Sequence, residues 1–309
     1  MRQHVLAATA LLGLANAICE CGYKTNTGET WQYAVETDFS NGSFPSNDWA
    51  VSHLVRQATV NLNYTPENVA ISEGKLELTC SAYNSTVGGG IRSGQIRTTR
   101  RDILYGSFRA SYSVIAQSPG SVAGFFFYAN DTQEIDIEIQ SKMDNQTVHL
   151  GNQPASFANI YLPNSGVVTE MHDYRFDWLK DETTFYLDGV PAGGFAEDTP
   201  ITNGTISLNM WGNGGTFSGP QTPTTDNVMA ISKIMIYFNT SSESLSQKWE
   251  RACQTAKRKT RPVCVVDTAG LSVNRTSSSI AHSAKANGQK LSSLRKLWPL
   301  GVGAALYNI

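Results

Sequence analysis

The feature that most constrains this chain is Glu134-Ile-Asp-Ile-Glu-Ile139, a strict alternation of acid and isoleucine that follows the apolar run Gly124-Phe-Phe-Phe-Tyr128 after five residues. Successive side chains of a strand point to opposite faces, so Ile135, Ile137 and Ile139 share a core face while Glu134, Asp136 and Glu138 share the other. No helix presents these six residues in two such clean sets. The fold must therefore contain a sheet with one face buried and one face carrying three neighbouring carboxylates.

The rest of the chain agrees with an all-β domain. From about Val35 to Phe238 short alternating segments are separated by Gly, Asn, Asp and Pro turns, among them Lys75–Thr79, Ile96–Thr98, Gly106–Val114 and Tyr174–Trp178. Thr183–Leu187 adds a strand that ends in an Asp188-Gly189 turn and faces its predecessor across Lys180-Asp-Glu182. Many such strands in succession predict a sandwich or jelly roll. After the last strand, Ile231–Phe238, Ser242 to Lys259 reads as one helix, acidic at its start and basic at its end.

The termini carry different signals. Residues 1–17 read as a secretory leader, with Arg2, the apolar run Val5–Leu14 and the ending Ala15-Asn-Ala17; the run is too short for a spanning helix. Eight N-x-S/T sequons, at Asn41, Asn63, Asn84, Asn130, Asn145, Asn203, Asn239 and Asn274, suit a glycosylated extracellular protein. A single domain is expected over 18–268. The Ser/Ala-rich tail 269–309 ends in a modestly apolar stretch from Leu297, either a glycosylphosphatidylinositol-anchor signal or a plain secreted tail.

Five cysteines, at 19, 21, 80, 253 and 264, permit two disulfides and leave one thiol. Staples that fasten the two ends of the folded part are favoured, without a fixed pairing. The five scattered His show no metal-ligand spacing, so neither a metal nor another cofactor is expected. A net charge of −2 gives no general attraction to nucleic acid or an anionic membrane, which leaves a neutral partner and a monomer as the expectation.

Three like charges on one strand face repel one another, and no Lys or Arg is interleaved. The bland reading is a surface strand whose acids face water. Cleavage of a glycosidic bond with retention gives them a use: one carboxylate attacks the anomeric carbon, and a second carboxyl protonates the leaving oxygen and then activates water. The two groups must lie about 5–5.5 Å apart. Residues four apart on a flat strand have Cα atoms ~13 Å apart, so long Glu side chains on a curved sheet must lean together. Asp136 between them can bridge, and coupling separates their pKa values.

Around the acidic strand, Ser93–Thr98, Tyr105–Ala110, Gly124–Tyr128, His172–Trp178, Phe185–Gly189 and Leu208–Trp211 follow one another in an order that, with Glu134–Glu138, resembles glycoside hydrolase family 16. This is the family of laminarinases, lichenases and cell-wall transglycosylases. The resemblance covers roughly Val35 to Tyr237 and implies a concanavalin A-like β-jelly-roll sandwich with sugar lying across its concave face. It further implies Glu134 as nucleophile, Asp136 as assisting carboxylate and Glu138 as acid/base, with Phe126, Tyr128, Asn209 and Trp211 lining the cleft. His172 falls in a matching segment, but a structural role is expected for it.

A structural calcium occurs in such a family, though no dedicated ligand cluster is visible. Two departures stand out. Thr132-Gln133 precedes the signature where lichenases carry Trp-Asp, and the sequon at Asn130 lies four residues before Glu134. The expected activity is endo-hydrolysis of a β-1,3 or mixed β-1,3/1,4 glucan. Transglycosylation with the same carboxylates and a non-catalytic lectin are the alternatives.

Overall fold

The computed structural model describes residues 19–220, 222–256 and 263–266. The leader expected at 1–17, the tail expected from 269 with its anchor signal, and the sequon at Asn274 lie outside the described residues.

Two antiparallel sheets pack face to face around one core. The inner sheet runs Trp49–Val51, Ile91–Thr98, Thr205–Trp211, Val122–Asn130, Gln133–Gln140, Thr147–Asn152 and Ser156–Tyr161 in spatial order. The outer sheet runs Val69–Ser72, Lys75–Cys80, Asn227–Thr240, Ile103–Ile115, His172–Trp178, Thr183–Leu187 and Val190–Phe195. Tyr33–Asp38 pairs with the second half of Asn227–Thr240, beyond the stretch bonded to Lys75–Cys80. Sequence neighbours thus cross repeatedly between sheets, as in a jelly roll.

The alternation that opened the argument is realised in the packing. Ile135 and Ile137 are fully buried and Ile139 is nearly so, alongside Phe125 and Phe127 of the preceding strand. Phe125 meets Phe176 of the outer sheet with ring centroids 5.2 Å apart, and Phe127 meets Trp178 at 4.2 Å. Aromatic rings from both sheets therefore interdigitate directly beneath the acidic strand and fix which of its faces is turned away from the core.

Each strand read from the sequence is present, most of them longer at the ends; Ile231–Phe238 is the middle of Asn227–Thr240. Asp188 and Gly189 form their turn with positive φ angles of 50° and 75°. The helix spans Glu243–Ala256, and the Ser242 carbonyl accepts the Ser246 N–H at 2.9 Å. Its expected continuation over 257–259 lies outside the described residues.

A small sheet of Thr30–Trp31, Tyr23–Lys24 and Cys264–Val265 was not legible in the sequence. It packs on the outer sheet through Trp31, Val266 and Tyr237. Cys19 bonds Cys264 and Cys21 bonds Cys253, closing loops with sequence separations of 245 and 232, while Cys80 is a buried free thiol. The pairing left open by spacing is thus a double clasp between the ends of the domain. His172 lies on the outer sheet, its Nδ1 2.7 Å from Asp188 Oδ2 and its Nε2 3.1 Å from the Val167 carbonyl oxygen, a structural position.

Candidate active site

The exposed face of the inner sheet forms the floor of a cleft of about 580 Å³. Strand register decides what lies on it. Asp136 stands opposite Phe126 on one side and Gly151 on the other; Glu138 stands between Gly124 and His149; Glu134 pairs with Tyr128. The next strand outward places Asn209 beside Gly124 and Ser207 beside Phe126, and the one after places Gln95 and Arg97 beside those. All seven residues singled out from the sequence, Glu134, Asp136, Glu138, Phe126, Tyr128, Asn209 and Trp211, line this single cleft.

Two glycines make room for the acids. A Cβ on Gly124 would stand 2.6 Å from Asn209 Oδ1, and one on Gly151 would stand 2.9 Å from a Phe157 ring carbon. A larger residue at either position would force the Asn209 amide or the Phe157 ring to shift.

Glu134 and Asp136 are buried, at 8% and 4% exposure, and Glu138 is half-buried. Loss of water pushes all three carboxyl pKa values upward, and the neighbouring acids push Glu134 and Glu138 further. Asp136 rises to about 7, burial outweighing the hydrogen bonds from Gln153 and Glu134 that favour its charge. Arg56, on the cleft wall and 5.9 Å from the Tyr128 ring centroid, is the cation that acts against the rise at Glu134. Glu134 Oε2 is sealed from water without a hydrogen-bond partner. Glu134 and Asp136 titrate as a pair, with one proton shared between two adjacent acids.

The walls differ in character. On one side Gln95 donates to Ser52 Oγ at 2.8 Å, while Asn209 Nδ2 donates to Tyr64 OH at 3.0 Å and lies 3.5 Å from Gln95 Oε1. This buried chain fixes the amide of Asn209. Further along, Trp211 stacks on Phe217 at 6.3 Å with an 11° interplanar angle, and Lys142 and His149 buttress Phe217. Flat rings beside fixed amides suit a ligand with apolar C–H faces and hydroxyl edges. Truncating Trp211 to Ala is expected to raise KM for a polymer about tenfold with kcat little changed, as measured by initial rates.

Arg56, Tyr64, Gln95, Arg97, Gln153 and Phe217 also line the cleft and were not singled out from the sequence. Gln95 and Arg97 had a signal, alternating with buried Ile96. The others arrive on loops or short strands whose placement is tertiary.

Both departures fall in the hairpin that leads into the acidic strand. A bulge between Tyr128 and Asn130 pairs Asn130 with Gln133, whose side chain accepts from the Ile201 N–H at 2.7 Å. Asn130 is exposed, is held by the Thr132 N–H and hydroxyl, and is absent from the cleft lining. Among the described residues no group of three or more His, Cys, Asp or Glu side chains is arranged to hold a metal.

Comparison with known proteins places this geometry. The β-glucanase of Acetivibrio thermocellus strain ATCC 27405 is 28% identical over 215 residues, covering 67% of this chain and 62% of the relative, so the chain spans less than two thirds of that protein. The β-glucanase of Bacillus licheniformis is 28% identical over 217 residues, 68% of this chain and 80% of its own length. A solved B. licheniformis β-glucanase shares the fold with a TM-score of 0.57 at 20% identity, over 66% of this chain and 97% of that one. A laminarinase from Flavobacterium sp. UMI-01 does so with a TM-score of 0.55 at 19% identity, over 66% and 98%. The sequence model of glycosyl hydrolases family 16 matches residues 56–229, more than half the chain and the whole of the acidic strand with its neighbours, and the chain belongs to that family.

Proposed function

We propose that the chain is a retaining endo-β-glucanase, hydrolysing β-1,3 or mixed β-1,3/1,4 glucan through a covalent glycosyl-enzyme. The observation that carries this reading is the desolvated trio Glu134, Asp136 and Glu138 on the floor of a cleft walled by amides and rings. Family membership and the β-glucanase names of the relatives support a glucan as the substrate.

In the first step Glu134 attacks the anomeric carbon while Glu138 gives its proton to the departing glycosidic oxygen. The carboxylate charge disappears into the new ester bond, and the sugar leaving group departs as a neutral alcohol. In the second step Glu138, now ionised, takes a proton from water as the water attacks the same carbon and expels Glu134. Asp136 hydrogen-bonds Glu134 throughout and helps stabilise its returning charge.

The raised pKa values set the pH dependence. Turnover needs Glu138 protonated and Glu134 ionised, so kcat/KM is expected to be bell-shaped. Both limbs should lie above the ordinary glutamate value of 4.5, because burial raises every member of the trio. A profile with its acid limb at or below that value would contradict the assignment.

The deciding experiment is product analysis of the full secreted chain on laminarin, barley β-glucan and xyloglucan, with and without a labelled oligosaccharide acceptor. Shorter reducing products without label transfer support the hydrolase and name its linkage. Label in longer chains makes the protein a transglycosylase with the same carboxylates, and binding without turnover makes it a lectin. Two disulfides support an oxidising, extracellular location in keeping with the leader and sequons.

A further inference from the structure

Among the described residues, one neutral side-chain donor reaches the trio. Gln153 Nε2 donates to Asp136 Oδ2 at 3.3 Å, and the main-chain N–H of the same residue donates to the Glu134 carbonyl oxygen at 3.0 Å. Gln153 therefore grips the step between the two acids from both its backbone and its side chain. Gly151 stands directly opposite Asp136, and a Cβ there would lie 3.6 Å from Asp136 Oδ2, in ordinary contact with the oxygen that Gln153 holds.

We propose that Gln153 is a positioning residue of the reaction: its amide holds one oxygen of Asp136 so that the other faces Glu134 and hydrogen-bonds the nucleophile. The kinetic part of this inference rests on the glycosidase reading above; the structural part does not. A carboxylate with a free rotor could swing toward solvent, whereas one pinned at Oδ2 keeps its second oxygen aimed along the strand.

The sign of the effect follows from the charges around Asp136. Burial disfavours its ionisation, and Glu134 and Glu138 flank it on its own strand. Among the described residues, the flanking strands add Tyr128, with Asp131 at its hydroxyl, and the desolvated ring of His149. Arg56 and Arg97 stand on the cleft walls. Against this mostly acidic surrounding, the Gln153 N–H favours the charged form, so removing it should move the Asp136 titration to higher pH.

The test is Gln153→Met, which keeps the side-chain length and removes the donor, made in the full chain. Without substrate, the Asp136 carboxyl carbon would be followed by NMR against pH, its signal assigned with Asp136→Asn. Its midpoint is expected to move up by about half to one pH unit. With a dinitrophenyl β-laminaribioside, whose leaving group needs no proton from Glu138, kcat is expected to fall about tenfold with KM held. An unmoved midpoint in a folded variant overturns the proposal even if activity falls, and a moved midpoint with unchanged kcat overturns its kinetic part. Gln153→Asn, one methylene too short to reach, repeats the test should the Met variant not fold. If the wild-type chain cleaves no glycoside, the proposed function falls and the titration alone decides the role of Gln153.

Discussion

Replacing Glu134 by Gln is expected to abolish glucan turnover, lowering kcat by on the order of 10⁴-fold or more, the scale reached when a covalent nucleophile is removed. Glutamine is nearly isosteric and cannot attack the anomeric carbon, so polymer binding should survive and be measurable by affinity electrophoresis. Glu138→Gln should behave differently. It removes a proton donor, costs about 10²–10⁴-fold on glucan and much less on an aryl glycoside with an acidic leaving group. Equal losses on both substrates for the Glu138 variant would reverse the two assignments.

The same substitutions carry a stability signature of opposite sign. A carboxyl whose folded pKa is raised holds its proton in the folded state over a window where the unfolded chain has lost it, so stability falls as pH rises through that window. For Asp136 the window runs from the ordinary value of 3.8 to about 7. Asp136→Asn should therefore melt higher than the wild type at neutral pH while losing activity, and the gain should vanish near pH 4. Thermal melts across that range check it.

The largest structural effect is expected at Trp178. Its ring is fully buried, packs on Phe127 and Tyr105, and its Nε1 donates to the Pro200 carbonyl oxygen at 2.9 Å. Trp178→Ala opens a large cavity under the cleft floor and leaves that buried carbonyl without its donor. The expected cost is about 3–5 kcal/mol, and the midpoint of thermal unfolding should drop by about 10 °C. Phe127 lies between Phe126 and Tyr128 on the strand that flanks the trio, so kcat should fall as well, even at temperatures where the variant stays folded. A melt unchanged within a degree would mean that the sheets are not clamped at this ring.

How much of this was legible beforehand depends on the range of the interaction. Ile135, Ile137 and Ile139 announce their burial through period two alone, and that places the three carboxylates on the opposite face. Phe126, Tyr128, Asn209 and Trp211 could be placed in the cleft through family resemblance alone, since aromatic residues on strands otherwise read as core packing. Tyr64 and Phe217 could not be, since the short parallel pairing of Leu62–Tyr64 with Ile91–Ser93 and the loop after Trp211 exist only in three dimensions. The two-residue strands at the ends carry no periodicity, and spacing cannot choose among cysteine pairings. The bulge after Tyr128 is one extra residue in a hairpin, and Asn130 beyond it is exposed and outside the cleft lining.

The most direct test of the central claim is the stereochemistry of the first products. Proton NMR of fresh wild-type digests of laminarin or barley β-glucan distinguishes the anomers before they equilibrate. Double displacement through Glu134 predicts that the β-anomer appears first and the α-anomer grows in only by mutarotation. An α-anomer formed first would mean that water attacks directly, and Glu134 would no longer be the nucleophile.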